Sequence, residues 1–418
     1  MTGKEKILRA LNHKNGPIPL DIGGFPVTGI HCSTLEKLRE YYGLEKRRVT
    51  IIDPYQMLGM VEDDLREAIG IDTTPLWTPD TLFGFENKEF KEWTTPWGQE
   101  VLVAGDFNVT KKDGKTYIYA HGDTSYPPSA MMPRTGLYFD TINRQPKDID
   151  DDALDVQDNL EEFGFISNET LENLNFQKNA LEDSNLAILG NFGGTGLGDI
   201  ALVSAPMLKQ PKGIRDIEEW YVSTITRQDY LYEIFEKQTV IALKNLQKVW
   251  DVLGDTVVCA YVCGTDFGTQ RVPFCSSETF RKLYMPHYKT INSWIHSHTT
   301  WKTFKHSCGA IYPLLPDIIE AGFDIINPVQ WTAGGMNREN LEKDFGKDVV
   351  FWGGGVDTQY TLPRGTPEQV RREVLETCEI FARDSGFVFN TIHNIQAMVP
   401  VENIVALINA LHEYNGDK

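Results

Sequence analysis

Cysteine is scarce in this sequence, and its six cysteines show no regular spacing. Small secreted domains held together by disulfides carry closely and regularly spaced cysteines, so that class of protein is excluded. In a chain of 418 residues, a few scattered cysteines are typical of a reduced, cytoplasmic protein. The thiols are then available for metal binding or redox chemistry.

Long apolar runs and clusters of basic residues are also absent. No stretch of about 20 apolar residues could span a bilayer, and the charges spread through 1–11 predict no signal peptide. The net charge is −19, and the sequence contains no run of lysine or arginine residues. We therefore expect neither a nucleic-acid partner nor an anionic membrane surface, since both require a basic face.

Glycine motifs that bind phosphate are missing as well. Neither G-x-G-x-x-G nor G-x-x-x-x-G-K-[ST] opens a helix in this chain. The nearest candidate is the glycine-rich loop 193–198, which lacks the lysine of a P-loop. We interpret it as a flexible active-site loop.

Regular alternation of strand and helix patterns begins at Leu186. Five successive βα units follow, and their strands are continuous β-branched or aromatic runs such as Val257–Val262. Continuous runs are typical of parallel strands buried on both faces. The pattern predicts an α/β fold, either a barrel or a doubly wound sheet. The length suits one large barrel or two to three ordinary domains.

Residues 83–119 depart from this alternation. They hold short β-prone runs, and the turn Lys112-Asp113-Gly114-Lys115 is a strong hairpin signal. We expect a β-meander inserted into the main fold.

The pair His306-Ser-Cys308 follows the predicted strand 300–305 and precedes Gly309. Side chains two apart on a strand point to the same side, so the imidazole and the thiolate face one way. Together they provide half of a tetrahedral zinc site. An isolated pair of this kind is more often packing than a ligand set, so its neighbours decide the interpretation.

Polar residues beside glycine follow nearly every predicted strand. In a (β/α)₈ barrel the chemistry collects at these carboxyl ends. Asp and Asn also serve there as ordinary caps and turns, whereas His and Cys are poor caps. The strand ends carry Asp21, Gly193, Cys263, Asp266, Gln270, His306, Cys308, Asn327, Gln330, Asp357, His393, Asn394 and Gln396.

From Gly264 to Tyr414 the sequence resembles the uroporphyrinogen decarboxylase superfamily, a (β/α)₈ barrel family. The motifs occur in the family's order, and the segment Pro19-Leu-Asp21-Ile-Gly-Gly is compatible with it. The resemblance implies a single (β/α)₈ barrel domain covering 1–418, with an N-terminal extension and the inserted meander at about 83–119. The matching motifs are Gly264-Thr-Asp266-Phe-Gly268-Thr-Gln270, His306-Ser-Cys308-Gly309, Gly322-Phe-Asp324-Ile-Ile-Asn327, Trp352-Gly-Gly-Gly-Val-Asp357 and Pro400-Val-Glu402-Asn403.

Two chemistries occur in that superfamily. True uroporphyrinogen decarboxylases look like carriers of an N-terminal Arg-Gln-Ala-Gly-Arg motif and a Phe-Ser-Asp motif. Neither is present here, and the stretch after Asp72 reads Thr-Thr-Pro-Leu-Trp77 instead. The other branch transfers methyl groups with zinc and a corrinoid, and its members resemble this chain in the His-x-Cys-Gly pair.

In that branch a later cysteine precedes a Pro-x-Glu-Asn segment, and aligning on Pro400 puts His393 in its place. The resemblance therefore implies zinc held by His306, Cys308 and His393. Two imidazoles and one thiolate leave Zn²⁺ with a net charge of +1, which favours polarising an oxygen or nitrogen. Should His393 not be the third ligand, Cys263 is the next candidate.

The predicted function is methyl transfer between a small methylated substrate, such as an aryl methyl ether or methylamine, and a corrinoid. No Asp-x-His-x-x-Gly motif is present to bind cobalamin, so a partner protein is expected to carry it. A homodimer is the generic expectation.

Roles are assigned to the remaining residues at the strand ends. We predict Asp266 and Asp357 to be catalytic, delivering a proton to the leaving group or positioning the substrate. We predict the substrate to be bound by Asp21, Tyr261, Gln270 and Gln330. Four aromatic residues either form the walls of a hydrophobic substrate pocket or are ordinary core residues: Phe25, Trp77, Tyr261 and Trp331.

Two alternative functions remain. A cofactor-independent decarboxylase would need an arginine cluster at the barrel mouth, for which Arg134, Arg271 and Arg364 are the candidates. A non-catalytic protein that binds a small ligand would leave the His-x-Cys pair without a role.

Overall fold

The computed structural model describes residues 1–145, 149–193 and 195–416, so Gly194 of the glycine-rich loop lies outside the described residues. A curled parallel sheet forms the centre of the described chain. Its seven strands, in the order of their hydrogen-bonded neighbours, are β15 (Phe387–Val388), β14 (Val350–Trp352), β13 (Ile325–Asn327), β12 (Lys302–His306), β11 (Cys259–Cys263), β10 (Ala187–Asn191) and β3 (Thr73–Trp77).

A short extended segment, 19–21, joins the two edges of this sheet. Leu20 pairs in parallel with Phe389, beyond the end of β15. On the other side, the Asp72 amide beside β3 donates to the Leu20 carbonyl at 2.8 Å. The segment therefore serves as an eighth strand, and the expected α/β barrel is confirmed.

Helices follow most barrel strands and cover the outer face of the sheet. Parallel strands need such crossover connections. The helices cover the outer face of the sheet, and side chains inside the barrel cover the inner face. The α-helices are α1 (Gly3–Leu11), α2 (Cys32–Tyr41), α3 (Asp63–Ile69), α4 (Asn168–Ala180), α5 (Ile200–Val203), α6 (Ile217–Thr226), α7 (Gln228–Leu253), α8 (Ser277–Leu283), α9 (Met285–His298), α10 (Leu315–Glu320), α11 (Arg338–Phe345), α12 (Thr361–Arg364), α13 (Pro367–Phe381) and α14 (Val401–Asn415). Short 3₁₀ helices lie at Ala120–Gly122, Asp151–Ala153, Val156–Asn159, Gly254–Thr256 and Tyr312–Leu314.

Two small sheets lie outside the barrel, and they take in the segment 83–119. The first has the order β2–β1–β5–β4, and the second the order β6–β7–β8–β9. Lys112 pairs with Lys115 across the hairpin turn. The strands are β1 (Val49–Asp53), β2 (Leu58–Gly59), β4 (Lys91–Thr94), β5 (Glu100–Val103), β6 (Val109–Lys112), β7 (Lys115–Ile118), β8 (Ala130–Met132) and β9 (Asp140–Thr141).

The outer sheets extend further along the chain than the predicted meander. β1 and β2 precede it and β9 follows it, and β1 runs parallel to β5. Parallel pairing between distant segments gives no local turn signal, so the sequence pattern did not indicate it.

Aromatic side chains fill the interior of the barrel. Phe25, Phe304 and Trp352 pack together there, with ring centroids 4.6 Å apart for the first two. Phe25 is fully buried, so it belongs to the core. This packed floor leaves only the carboxyl ends of the strands open to form a site.

Candidate metal centre

Three potential ligands meet at the carboxyl end of the barrel. His306 is the last residue of β12, Cys308 follows two residues later, and His393 lies in the loop after β15. Their ligand atoms all lie within 4.8 Å of one another. The structure therefore brings together the three residues that the sequence predicted as metal ligands.

The distances within this triad suit a tetrahedral ion. The Cys308 Sγ lies 3.4 Å from the His306 Nε2. Zinc bonds to sulfur and nitrogen at tetrahedral angles would place those two atoms roughly 3.5 Å apart. The His306 and His393 rings meet nearly edge-on, with centroids 5.7 Å apart, so neither blocks the other. Zinc fits this donor set.

Asn327 fixes the tautomer of His306. The Asn327 Nδ2 donates to the Trp352 carbonyl at 2.9 Å, which leaves its Oδ1 as the acceptor. The His306 Nδ1–H therefore donates to that Oδ1, at 2.6 Å. The Nε2 lone pair is left free and faces Cys308. A second hydrogen bond of this kind is what orients most metal-binding histidines.

A tight turn holds Cys308. Its amide donates to the Asp266 Oδ1 at 2.6 Å, and the next amide, that of Gly309, donates to the Gln330 Oε1 at 2.8 Å. Gly309 has φ +87, and a β-carbon there would overlap the Gly268 carbonyl. Only glycine fits this close approach between two loops.

Burial tunes the triad toward metal binding. It lowers the pKa of His306 and of His393 to about 4, so both imidazoles are neutral at pH 7. Burial and the neighbouring Asp266 raise the pKa of the Cys308 thiol. Two neutral nitrogens are ready as ligands, and the thiol must release its proton to a bound cation.

Asp266 stands beside the triad. Its Oδ1 lies 3.8 Å from the His306 Nε2. Burial raises the pKa of this carboxyl, while the Cys308 amide and the nearby Lys305 oppose that rise. The predicted catalytic Asp266 is thus placed where it can exchange a proton with a group bound at the triad.

Lys305 is fully buried behind the site. Its Nζ donates to the carbonyls of Thr265 and His306, at 2.6 Å each. It also lies 5.0 Å from the centre of the Phe267 ring. Its charge therefore reaches the site through the protein interior and not through direct contact with a ligand.

A cavity of about 720 Å³ opens above the triad. His306, His393, Asp266 and the predicted substrate residue Tyr261 line it on the barrel side. The opposite side is formed by residues of the outer sheets and their connections. Trp77 lines the cavity as well, in agreement with its interpretation as an aromatic wall.

Other predicted residues lie outside this cavity. Asp21 is fully buried and accepts hydrogen bonds from the Thr73 hydroxyl at 2.7 Å and the Trp352 Nε1 at 2.8 Å. The Gln330 Nε2 donates to the Gln270 Oε1 at 2.9 Å, so this pair braces the turn after Cys308. These residues support the site from behind its lining.

Asp357 and Cys263 are also set apart from the triad. The Asp357 Oδ1 accepts from the Gln359 amide at 2.8 Å, and the Asp357 amide donates to Glu373. The Cys263 thiol is buried, 3.1 Å from the Tyr288 hydroxyl. A catalytic role for Asp357 stays a prediction.

The sequence reasoning missed Asp199. This residue caps α5 through an Oδ1 that accepts from the Ala201 amide at 3.0 Å, and it lines the cavity. Its only sequence signal was an aspartate at the end of the glycine-rich loop. Asp53, the last residue of β1 in the outer sheet, and Asp80, three residues after β3, were missed too.

The described geometry can now be compared with known proteins. Residues 214–414, just under half of the chain, match the model of the uroporphyrinogen decarboxylase (URO-D) family. Over this range the chain is similar to that family. The resemblance stated from its motifs is therefore confirmed, and the matched range contains all three residues of the triad.

Curated uroporphyrinogen decarboxylases match a smaller part of the chain. The enzyme of Pseudoalteromonas translucida is 36% identical over 98 residues, or 23% of this chain and 26% of its own length. That of Actinobacillus succinogenes is 34% identical over 101 residues, or 24% and 27%. The match thus spans about a quarter of these relatives.

A solved structure is similar over nearly the whole chain. It is described as a methyltransferase from Methanosarcina mazei, with a TM-score of 0.55 and 15% identity. The match covers 99% of both chains, so the two share the fold from end to end. Within the described residues, no helix is both long and apolar enough to span a membrane.

Proposed function

We propose that this protein is a zinc-dependent methyltransferase that moves a methyl group between a small methylated substrate and the corrinoid of a partner protein. The observation that carries the proposal is the triad of His306, Cys308 and His393 at the floor of an open cavity. Three protein ligands that leave one position open are typical of a catalytic zinc site.

The similarity in fold to a methyltransferase from Methanosarcina mazei supports the same class of reaction. When bound, zinc would supply a Lewis acid that withdraws electron density from the heteroatom carrying the methyl group. His306 and His393 would hold it as neutral donors and Cys308 as a thiolate. The cavity would have to admit a partner's cofactor from the solvent side.

The residues of the chain divide the remaining work. Asn327 orients His306, and the Gln330–Gln270 pair holds the turn of Cys308. Asp266 would exchange a proton with the heteroatom that gains or loses the methyl group, because its carboxyl lies beside the His306 Nε2. The packed aromatic floor keeps water from reaching the site from below.

The alternative function is a cofactor-independent decarboxylase of the uroporphyrinogen decarboxylase type. Its substrate is a polyanion, which requires cationic side chains in the pocket. Arg134, Arg271 and Arg364 are absent from the described lining of the cavity, and no other arginine or lysine appears there. This observation favours the methyltransferase.

Metal analysis combined with a methyl-transfer assay tests the proposal. We expect about one zinc per chain in the wild type. Cys308→Ser should lose this zinc, together with transfer of the methyl group from the substrate to cob(I)alamin and from methylcobalamin back to the demethylated substrate. Cys275→Ser is the matched control, since Cys275 is a partly buried free thiol outside the triad. A metal-free wild-type protein that decarboxylates a porphyrinogen would overturn the proposal.

A further inference from the structure

The acidic and basic side chains in the described lining of the cavity are all of one sign. Its described lining contains the four aspartates Asp53, Asp80, Asp199 and Asp266, and neither lysine nor arginine. A carboxylate or phosphate on the substrate would meet no side-chain cation here, and a cation would meet several counter-charges.

Two of the polar groups converge on one point. The Asp199 Oδ2 and the Tyr261 hydroxyl both lie over Gly264. A β-carbon at Gly264 would stand 2.7 Å from that Oδ2 and would overlap the hydroxyl oxygen. The missing side chain of Gly264 therefore leaves room between the two oxygens at the cavity wall.

Both the Asp199 Oδ2 and the Tyr261 hydroxyl oxygen keep hydrogen-bonding capacity that the described residues do not satisfy. The Asp199 Oδ1 caps α5, and the carboxylate also accepts from the Gly264 amide. No side chain of the described residues donates to its Oδ2. The Tyr261 hydroxyl likewise has no hydrogen-bond partner within the described chain, although its ring packs on Phe25 and Phe304. Free acceptors on an enclosed wall are available to a ligand.

The carboxylate of Asp199 also lacks a counter-charge in direct contact. Burial raises the pKa of Asp199, and Asp266 adds to that rise. Lys305 opposes it, but the lysine Nζ is bonded to the carbonyls of Thr265 and His306. A ligand cation in the cavity would stabilise the ionised form of Asp199.

Aromatic faces complete this arrangement. Trp77, Phe90 and Tyr261 line the same cavity as the aspartates. Aromatic faces attract ammonium groups through the ring quadrupole, and aromatic cages with nearby carboxylates are the usual sites for methylated ammonium.

We infer that the substrate carries a positively charged nitrogen, an ammonium or methylated ammonium group, that binds between Asp199, Tyr261 and the aromatic wall. The inference rests on the proposed function, in which the substrate heteroatom that gains or loses the methyl group lies at the triad of His306, Cys308 and His393. The substrate class is thus a small organic cation, and neutral aryl ethers and anionic thiols are disfavoured.

A pair of isosteric probes tests the inference. Choline and 3,3-dimethylbutan-1-ol have nearly the same shape and differ in charge. By isothermal titration calorimetry we expect the wild type to bind choline at least about tenfold more tightly than the neutral alcohol. Equal affinities for the two probes would overturn the inference.

Three variants locate the site. Asp199→Asn keeps the cap of α5, because Asn caps as well as Asp, and should reduce the preference for choline to about threefold or less. Asp183→Asn removes the same charge from an exposed loop and should leave the preference unchanged. Tyr261→Phe removes the hydroxyl alone and should weaken choline binding, which provides the test if Asp199→Asn does not fold.

Two readouts separate this inference from the proposed function. Zinc content is measured on each sample used for calorimetry. Zinc bound at the triad without discrimination between the probes would overturn the cation site and leave the methyltransferase standing. If the protein discriminates between the probes but binds no zinc, the cation site stands and the zinc-dependent methyltransferase is overturned. An unchanged preference in Asp199→Asn would place the cation elsewhere and overturn the site.

Discussion

The two sides of the cavity are built on different principles. The barrel-end wall, formed by Tyr261, Gly264, Asp266, His306 and His393, follows parallel strands and is held by hydrogen bonds to the packed interior. The outer wall is formed by residues around β1 and the segment 77–90. It rests on two small sheets of short strands, in which all pairs but β1 and β5 are antiparallel. Under the proposed function, the barrel-end wall would hold the metal chemistry and the outer wall would add contacts to the substrate.

Rigidity explains this division. A metal site needs its ligands fixed to within a fraction of an ångström, and strand ends tied to neighbouring strands provide that. His306 and Asn327 are register partners on β12 and β13, so the hydrogen bond between their side chains follows from the pairing itself. An outer wall can change its side chains without disturbing that register.

The largest effect is expected where the barrel-end wall is most crowded. Gly309→Ala should destabilise the fold by about 4 kcal/mol, combining left-handed strain with overlap on the Gly268 backbone. Urea unfolding and zinc content measure it. Gly335→Ala is the control: its φ is +76, but nothing lies within 4 Å of the added carbon. It should cost only about 1 kcal/mol. Similar losses in both would show that crowding at Gly309 is unimportant.

A pH dependence should follow from the two buried histidines of the same wall. Each has a folded pKa of about 4 against 6.5 when unfolded, so the folded state binds fewer protons in between. Metal-free protein should therefore lose stability as the pH falls from 6.5 to 4, by about 3 kcal/mol for the pair between pH 7 and pH 5.

Urea unfolding at several pH values checks this dependence. The double variant His306→Gln and His393→Gln should lose less stability over the same range, whereas His298→Gln, on the surface of α9, should follow the wild type. Identical pH profiles for the wild type and the double variant would contradict the expectation.

A smaller effect should come from the residue that orients His306. Asn327→Ala removes the acceptor for the His306 Nδ1–H and should weaken zinc binding by about 10- to 100-fold. Competition with a chromogenic chelator measures the affinity. Asn179→Ala, at an exposed position of α4, is the control. If zinc affinity is unchanged in Asn327→Ala, the hydrogen bond does not hold the ligand.

The smallest effect is expected on the outer wall. Phe90 is 38% exposed and lines the cavity, so Phe90→Ala should leave zinc content and stability unchanged while weakening choline binding. We expect about a threefold loss, typical of one partly exposed cation–π contact. Phe176→Ala, at a more exposed phenylalanine outside this cavity, should lose nothing. Loss of zinc in Phe90→Ala would break the division between the two walls.

The barrel-end wall could be predicted from the sequence, and the outer wall could not. His306 and Cys308 belong to a continuous buried strand whose direction sets where their side chains point, and the family resemblance located His393. Asp53, Asp80 and Asp199 reach the cavity through long-range packing. The closure of the barrel at Leu20 likewise depends on a strand too short to have a period of its own.

Pairing between Leu20 and Phe389 sets the order in which the protein can be completed. About 370 residues are synthesised between Leu20 and its partner Phe389, and His393 follows four residues after Phe389. The candidate triad can therefore be completed only long after segment 19–21 has been made. Until then the early strand has an unpaired edge that must be kept from aggregating.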